Sequence, residues 1–103
     1  MSRGDVCWLE LPEEGRRPVC VLTRREAIPV LRSVLVAPVT RTVRALPTEV
    51  RLDDDDGMAM ECAISLDNIR TVPRALLTER ITSLSGTRMH ELCKALAAAT
   101  GCD

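Results

Sequence analysis

The sequence predicts a mainly β fold with a single helix at its C-terminal end, an α+β protein built as a small barrel or half-barrel. Six segments of strand length, rich in β-branched residues, are separated by turn residues. One long segment with apolar residues at helical spacing follows them. A chain of 103 residues suffices for one modest core, so residues 1–103 are predicted to form a single domain.

The predicted strands alternate with short turns. Gly4–Leu11 is largely apolar on both faces, and Pro12–Gly15 forms the turn after it. Pro18 suits the opening of the second strand, whereas Pro38 lies inside the third strand and indicates an edge or a bulge. In chain order, the strands are predicted at residues 4–11, 16–23, 33–40, 48–52, 61–66 and 78–84.

Three segments have helical character. Arg24–Ile28 has room for one helical turn, which Pro29 would end. Pro73–Leu77 predicts a short helix with proline in its first turn. The long helix begins after the N-cap Ser85 and ends at Gly101. Its predicted buried stripe consists of Met89, Leu92, Cys93, Leu96 and Ala97.

The charge distribution distinguishes the middle of the chain. The 14 basic residues, all arginine except Lys94, nearly balance the 15 acidic residues. Residues 16–51 nevertheless hold eight arginines and two glutamates, which is compatible with a nucleic-acid partner and also with an ordinary solvated surface. Trp8 is the only aromatic residue, which argues against a protein that stacks many bases. The absence of an 18-residue apolar run or a signal-peptide core predicts a cytoplasmic protein without membrane contact.

The usual metal-binding residues show no metal-site spacing, so no metal and no other cofactor is expected. The five cysteines contain no C-x-x-C pair and are odd in number, which also argues against a disulfide framework. Cys7, Cys20, Cys62 and Cys93 fall in predicted strands or on the apolar helix face and are expected to be small buried residues. Residues 53–56 are four aspartates in a row, and we expect an exposed, self-repelling loop there.

The remaining candidates for chemistry are arginine and threonine, because His90 is the only histidine and is expected to face water. The second strand begins with Arg16 and Arg17, and the third ends with Thr40, Arg41 and Thr42. If these strands pair, a fixed cation and a hydroxyl donor meet at one rim of the sheet and can bind phosphate. RNA cleavage by its own 2′-hydroxyl needs no other nucleophile. Taken alone, however, such an arginine is more often a salt-bridge residue.

Nearly the whole chain resembles the MazF/PemK/Kid toxins. Their Gly-Asp/Glu-Val-aromatic strand and the following Arg-Pro-Val-x-Val strand both have counterparts here. Five blocks in the family's order and at similar spacing carry the resemblance: Arg3–Trp8, Gly15–Leu22, Val36–Thr40, Leu46–Val50 and Leu66–Thr71. The resemblance implies an SH3-like barrel of the MazF/CcdB toxin type that works as a homodimer.

The resemblance also implies an activity and a set of site residues. It implies a metal-independent, sequence-specific endoribonuclease that cuts single-stranded RNA, leaves a 2′,3′-cyclic phosphate and a 5′-hydroxyl, and inhibits translation and growth. A cognate MazE-like antitoxin with an acidic, disordered segment would inhibit it. Arg17 corresponds to the family's catalytic arginine and Thr40 to its catalytic threonine or serine. The weaker candidates for RNA contacts are Glu13, Glu14, Arg16, Arg41, Thr42, Arg44, Asp67 and Asn68.

The sequence departs from the family pattern in two places, and two alternative functions stand beside the ribonuclease interpretation. The turn Pro12–Gly15 is shorter than the loop that closes over RNA in many relatives, and Asn68 stands where the family has glutamine. One alternative is a non-enzymatic toxin on the same fold that poisons DNA gyrase, as CcdB does, although CcdB lacks the pairing of Arg-Pro with threonine. The other is a plain SH3-like binding module, which the missing aromatic residues disfavour.

Overall fold

The computed structural model describes residues 1–102 and confirms a mainly β fold with one C-terminal helix, α1 (Gly86–Thr100). Within these residues, no helix has the length and apolarity needed to cross a membrane. The strands are β1 (Asp5–Leu11), β2 (Gly15–Val21), β3 (Ser33–Thr40), β4 (Glu49–Leu52), β5 (Cys62–Ser65), β6 (Arg70–Pro73) and β7 (Leu77–Ser83). Single-turn 3₁₀ helices span Asp54–Asp56, Leu66–Asn68 and Arg74–Leu76.

All paired strands are antiparallel. The order β7-β1-β2-β3-β6 forms the barrel sheet, and β3 also pairs with β5, which pairs with β4. Along β3, residues 33–36 pair with β6, whereas Val39 and Thr40 pair with β5. Pro38 lies between the part of β3 that pairs with β6 and the part that pairs with β5. On this side of β3, no hydrogen bond between strands needs the backbone N–H that proline lacks. Strand β3 is therefore an interior strand, and the prediction of an edge at Pro38 is wrong.

The sequence did not predict β6. Of its four residues only Val72 is buried, and two of the others are arginine and proline, so the segment has little strand character of its own. Its pairing with residues 33–36 of β3 decides its conformation. The short helix predicted at 73–77 is the 3₁₀ turn Arg74–Leu76, and Arg24–Ile28 forms turns rather than a helix.

The two faces of the sheet bury separate apolar clusters. Because side chains alternate along a strand, Val19 and Val21 face one cluster, whereas Cys20 faces the other. The barrel cluster consists of Cys7, Leu9, Val19, Val21, Ile28, Val34, Val36, Val72 and Leu77. The helix cluster consists of Val6, Cys20, Leu22, Ala37, Val50, Leu52, Cys62, Ile64, Leu66, Leu92 and Ala95.

Helix α1 has the predicted caps but turns a slightly different face to the sheet. The Ser85 hydroxyl accepts a hydrogen bond from the backbone N–H of Arg88 at 3.2 Å, and Gly101 ends the helix with φ of 72°. Leu92 and Ala95 are buried, but Cys93 is exposed. The prediction that Cys93 is buried is wrong, because adjacent helix positions lie about 100° apart and the packed face is centred on Leu92.

The three cysteines that were predicted to be buried in strands are buried. Cys7, Cys20 and Cys62 are buried, and within residues 1–102 none of the five cysteines is joined to another. Burial is the main cause that raises the pKa of Cys20 to about 12, so this thiol stays protonated and packs as a small apolar side chain.

The aspartate run is exposed at Asp54 and Asp55, as predicted, but it forms a 3₁₀ turn and its two outer residues are half-buried. Asp53 caps the 3₁₀ turn, and the carboxylate of Asp56 accepts hydrogen bonds from Arg88 Nε and Nη2 at 3.0 and 3.1 Å. The Thr82 hydroxyl donates to the backbone oxygen of Asp56 at 2.8 Å. We call Asp56, Thr82 and Arg88 the Asp56 corner, because it fastens the β4–β5 connection to β7 and α1.

Candidate active site

Arg17 and Thr40 lie at the same end of the β2–β3 pair. Val19 pairs with Pro38, and this antiparallel register, continued by two residues, places Arg17 opposite Thr40 on the same face. Both side chains line a cleft of about 380 Å³, which we call the Arg17–Thr40 cleft. Its lining consists of Arg17, Pro18, Pro38, Val39, Thr40, Arg41 and Thr42. The structure thus brings together the residues predicted to meet at this rim, except for Arg16.

The Thr40 hydroxyl is oriented by the chain that follows β3. Its oxygen accepts a hydrogen bond from the backbone N–H of Thr42 at 3.1 Å. Because this bond uses a lone pair, the hydroxyl proton remains available to donate to a ligand. The same bond turns the chain back on itself after Thr40, which keeps Thr42 beside the cleft. Thr40 is therefore a half-buried donor at a fixed position.

The Arg17 guanidinium has its donors available. The side chain is exposed, and within residues 1–102 it forms no hydrogen bond or ion pair with another side chain. A guanidinium carries five N–H donors in a planar fork that matches two oxygens of a phosphate. Arg41 is also exposed and adds a second positive charge to the same cleft.

Arg16 occupies a different position from its neighbour. Since side chains alternate along β2, it points to the other face, where its guanidinium carbon lies 4.1 Å from the ring centre of Trp8. This cation–π contact holds both side chains beside the cleft rather than within it.

A second cavity of about 180 Å³ continues the cleft beyond Thr40. It is lined by Pro38, Thr40, Thr42, Arg44, Glu49, Ser65 and Asn68. Asn68 Nδ2 donates to Ser65 Oγ at 2.8 Å, which orients the predicted Asn68. Glu49 Oε1 accepts from the backbone N–H of Arg44 at 3.0 Å, so it orders the loop after β3. Neither Ser65 nor Glu49 was among the predicted site residues; the one signal in the chain is that Glu49 is one of only two acids in the basic stretch.

Besides Arg16, three weaker candidates lie outside both cavities. Glu13 and Glu14 line a separate depression at the β1–β2 turn. Asp67 accepts a hydrogen bond from the Thr48 hydroxyl at 2.5 Å and lines neither cavity. His90 is exposed on α1, as expected, and lines neither cavity.

A third, apolar cavity of about 140 Å³ adjoins the cleft. We call it the Trp8 pocket; it is lined by Trp8, Pro18, Val39, Thr40, Arg41, Met58, Ala59, Met60, Cys62 and Ile81. The site as a whole thus combines positive charge, one oriented hydroxyl and an adjoining apolar pocket. Such a combination can bind a phosphodiester and stabilise extra negative charge on it.

Comparison with known proteins gives consistent results. A family model described as PemK-like, MazF-like toxin of type II toxin-antitoxin system matches residues 2–100. The chain is 45% identical over 102 residues to the probable endoribonuclease MazF5 of Mycobacterium tuberculosis, covering 98% of this chain and 94% of that one. It is 41% identical over 103 residues to the probable endoribonuclease MazF2 of the same organism, covering 99% and 100%.

Solved structures agree with these relatives. The Mycobacterium tuberculosis toxin MazF-mt6 matches with a TM-score of 0.88 at 35% identity, covering 96% of this chain and 98% of that one. An endoribonuclease in complex with its cognate antitoxin, from a mycobacterial species, matches with a TM-score of 0.89 over 100% and 97% of the two chains. Its identity is 24%, so this second likeness shows the shared fold.

Proposed function

Because the chain belongs to the PemK-like, MazF-like toxins of type II toxin–antitoxin systems, we propose that it cuts single-stranded RNA with Arg17 and Thr40. It is an endoribonuclease of the MazF type, since its relatives at 41–45% identity are named probable endoribonucleases MazF5 and MazF2. One observation supports the residue assignment above the others. Arg17 and Thr40 oppose each other across β2 and β3, and both have donors directed to no other side chain within residues 1–102.

The first step is binding of the scissile phosphate. The planar fork of Arg17 holds two non-bridging oxygens, and the Thr40 hydroxyl donates to one of them. Arg41 and Arg44 follow the end of β3 and bind the neighbouring phosphates of the RNA. These contacts fix the phosphodiester so that the adjacent 2′-hydroxyl is aligned with the bond to be broken.

The chemical step is an in-line displacement within the RNA. The 2′-oxygen loses its proton and bonds to phosphorus, the bond from phosphorus to the 5′-oxygen breaks, and that oxygen takes up a proton. The products are a 2′,3′-cyclic phosphate and a 5′-hydroxyl. Negative charge on the phosphoryl oxygens rises in the transition state, so the donors of Arg17 and Thr40 bind that state more strongly than the substrate. Arginine supplies this charge permanently, and we propose that the reaction requires no metal.

The gyrase-poison alternative has less support. The MazF2 and MazF5 relatives of Mycobacterium tuberculosis are both named probable endoribonucleases and match nearly their full length. We therefore propose RNA in the cytoplasm as the target, and a gyrase assay serves as the test of the alternative.

We propose that the working unit is a homodimer whose RNA groove also binds the antitoxin. One barrel of about 31 × 29 × 24 Å offers a short basic track, and a twofold axis would join two such tracks. A mycobacterial structural neighbour is described as complexed with its cognate antitoxin. An antitoxin that covers this basic groove must be acidic there, and a disordered segment that folds on binding can provide that charge.

The ribonuclease proposal is tested by incubating the pure protein with single-stranded RNA in excess EDTA. We expect cleavage with cyclic-phosphate ends, a large loss in Thr40→Ala and substantial retention in Thr40→Ser, which keeps the hydroxyl. The matched control is Thr71→Ala, an exposed threonine of β6 that lines none of the three cavities of the site. Relaxed DNA accumulating with gyrase, together with intact RNA, would overturn the proposal in favour of the CcdB-like alternative.

The assembly proposal is tested separately. Light scattering should give twice the mass of one chain, and RNA and the cognate antitoxin should compete with affinities that fall as salt is added. A fully active monomer at nanomolar concentration would contradict the dimer. RNA that stays bound at saturating antitoxin would contradict the shared groove.

A further inference from the structure

We propose that the Trp8 pocket holds a pyrimidine base of the RNA, next to the scissile phosphate, and thereby sets the cleavage sequence. This inference rests on the proposed ribonuclease function and adds the identity of one substrate group. Neither the names of the relatives nor the cleft itself specifies which base is read.

The position of the pocket is the first argument. Pro18, Val39, Thr40 and Arg41 line both the Trp8 pocket and the Arg17–Thr40 cleft. The two spaces therefore lie side by side around the end of the β2–β3 pair. A nucleotide whose phosphate is bound in the cleft has its own base, or that of the next nucleotide, within reach of the pocket.

The chemistry of the pocket wall is the second argument. Trp8, Met58 and Ile81 give it apolar surfaces, and no acidic residue lines it. Arg16 lies against the Trp8 ring at 4.1 Å, so the ring is held in place and a cation stands beside the pocket. Unpaired RNA bases are bound by stacking on such aromatic and apolar surfaces, with cations for the attached phosphates.

The size of the pocket is the third argument. Its volume of about 140 Å³ is close to that of an engineered apolar cavity of roughly 150 Å³ that binds benzene. One six-membered ring therefore fills it, which suits uracil or cytosine. The second ring of a purine would remain outside. An apolar side chain of a partner protein also has this size, but Arg41 and the adjoining phosphate cleft favour a nucleotide.

The entrance offers a variant that can be tested without disturbing the core. Ala59 is exposed and lines the pocket, so Ala59→Leu fills the entrance from outside. Ala75→Leu is the matched control, because Ala75 is also exposed but lies in the 3₁₀ turn after β6, outside the pocket. Neither residue belongs to the Arg17–Thr40 cleft.

The experiment uses oligonucleotides with the four bases varied on either side of the cut, and then one abasic site at each of these positions. We expect a pyrimidine preference on one side, and a loss of kcat/KM of about ten- to hundredfold when that base is removed. Ala59→Leu should cause a similar loss on the intact oligonucleotide and little further loss on the abasic one. Ala75→Leu should match the wild type on both.

Four outcomes would overturn the proposal. A purine preference at both positions, or no effect of either abasic site, would show that the pocket reads no pyrimidine. Equal losses by Ala59→Leu on intact and abasic RNA would place its effect elsewhere. If the wild-type protein cut no oligonucleotide at all, the ribonuclease function itself would fail, and the base assignment with it.

Discussion

Arg17 on β2 and Arg88 on α1 use their guanidinium groups differently. Arg88 binds Asp56 through two nitrogens and Glu91 through a third, at distances of 2.9–3.1 Å. Its side chain is 23% exposed, and these acids raise its pKa further. Arg17 is exposed and has no side-chain partner within residues 1–102.

This difference separates a structural arginine, Arg88, from an arginine that we propose to act on RNA, Arg17. The donors of Arg88 are used within the protein, where they join α1 to the β4–β5 connection. The donors of Arg17 have no side-chain partner among the described residues, and Arg17 lines the same cleft as Thr40. Sequence composition alone cannot make this distinction, because both residues are arginines in a chain that is rich in them.

The largest effect is expected at Arg17. Arg17→Ala should lower the rate of RNA cleavage about a hundred- to thousandfold, since it removes a preorganised donor to the developing charge. Arg17→Lys should not restore it, because a point charge lacks the fork. The rate is measured under single-turnover conditions, and Arg24→Ala, an exposed arginine at the opposite end of the β2–β3 pair, is the control. If Arg17→Ala cleaved RNA at the wild-type rate, Arg17 would have no role in cleavage and would not differ from Arg88 in this respect.

The next effect is expected at Arg88 and concerns stability. Arg88→Ala leaves the largely buried Asp56 carboxylate without its cation, which should cost about 2 kcal/mol, between the values for exposed and for fully buried pairs. This corresponds to a melting temperature lower by roughly 10 °C, measured by circular dichroism.

Two measurements sharpen the Arg88 result. Arg51→Ala breaks the exposed Arg51–Glu61 pair, whose side chains are 63% and 53% exposed, and should change stability by less than about 1 kcal/mol. RNA cleavage by Arg88→Ala below its melting temperature should match the wild type. A selective loss of cleavage without loss of stability would show that Arg88 is not purely structural.

A smaller effect is expected from pH. Burial alone would raise the pKa of Asp56, but hydrogen bonds from Arg88 and from the backbone of Asp53 outweigh it and lower the pKa below the usual 3.8. The ionised form therefore stabilises the fold above pH 3.8, and this contribution is lost as pH falls through the folded pKa. In urea titrations, the stability advantage of wild type over Asp56→Asn should shrink below that pH. An advantage that stays constant in acid would contradict the assignment.

The smallest effect is expected at His90. This side chain is exposed on α1 and lines neither cavity of the site, so His90→Gln should leave both the cleavage rate and its pH profile near neutrality unchanged. If the pH profile of cleavage lost an inflection in this variant, a histidine would take part in proton transfer. The comparison of Arg17 with Arg88 would then leave out one group of the active site.

Local patterns in the sequence were sufficient to predict the fold class and to predict that Arg17 and Thr40 lie at the same rim of the sheet. Strands of alternating or continuous apolar character, turn residues and helix caps all lie within a few positions of one another. If β2 and β3 form a neighbouring antiparallel pair, the start of one and the end of the other must meet. Arg17 and Thr40 are therefore adjacent for a reason that can be read from the chain order.

Features that depend on distant partners could not be predicted in this way. Strand β6 forms because residues 33–36 offer an open edge, and Asp56 is stabilised by Arg88, which lies 32 residues further along the chain. Cys93 illustrates a smaller error, since a rotation of the helix by one position decides whether the thiol is buried. The catalytic roles of Arg17 and Thr40 remain predictions that the cleavage experiments will decide.

The pairing of β1 with β7 has a consequence for synthesis of the protein. Ser83 donates a hydrogen bond to Asp5 at 2.7 Å across 78 positions of the chain, and the two strands are neighbours. Strand β1 therefore lacks one of its two neighbours until the ribosome has synthesised residues 77–83. Pairing between such distant segments folds slowly compared with a helical chain of this length. The nascent chain carries Arg17 and Thr40 early, but the barrel that positions them closes only after β7 has been synthesised.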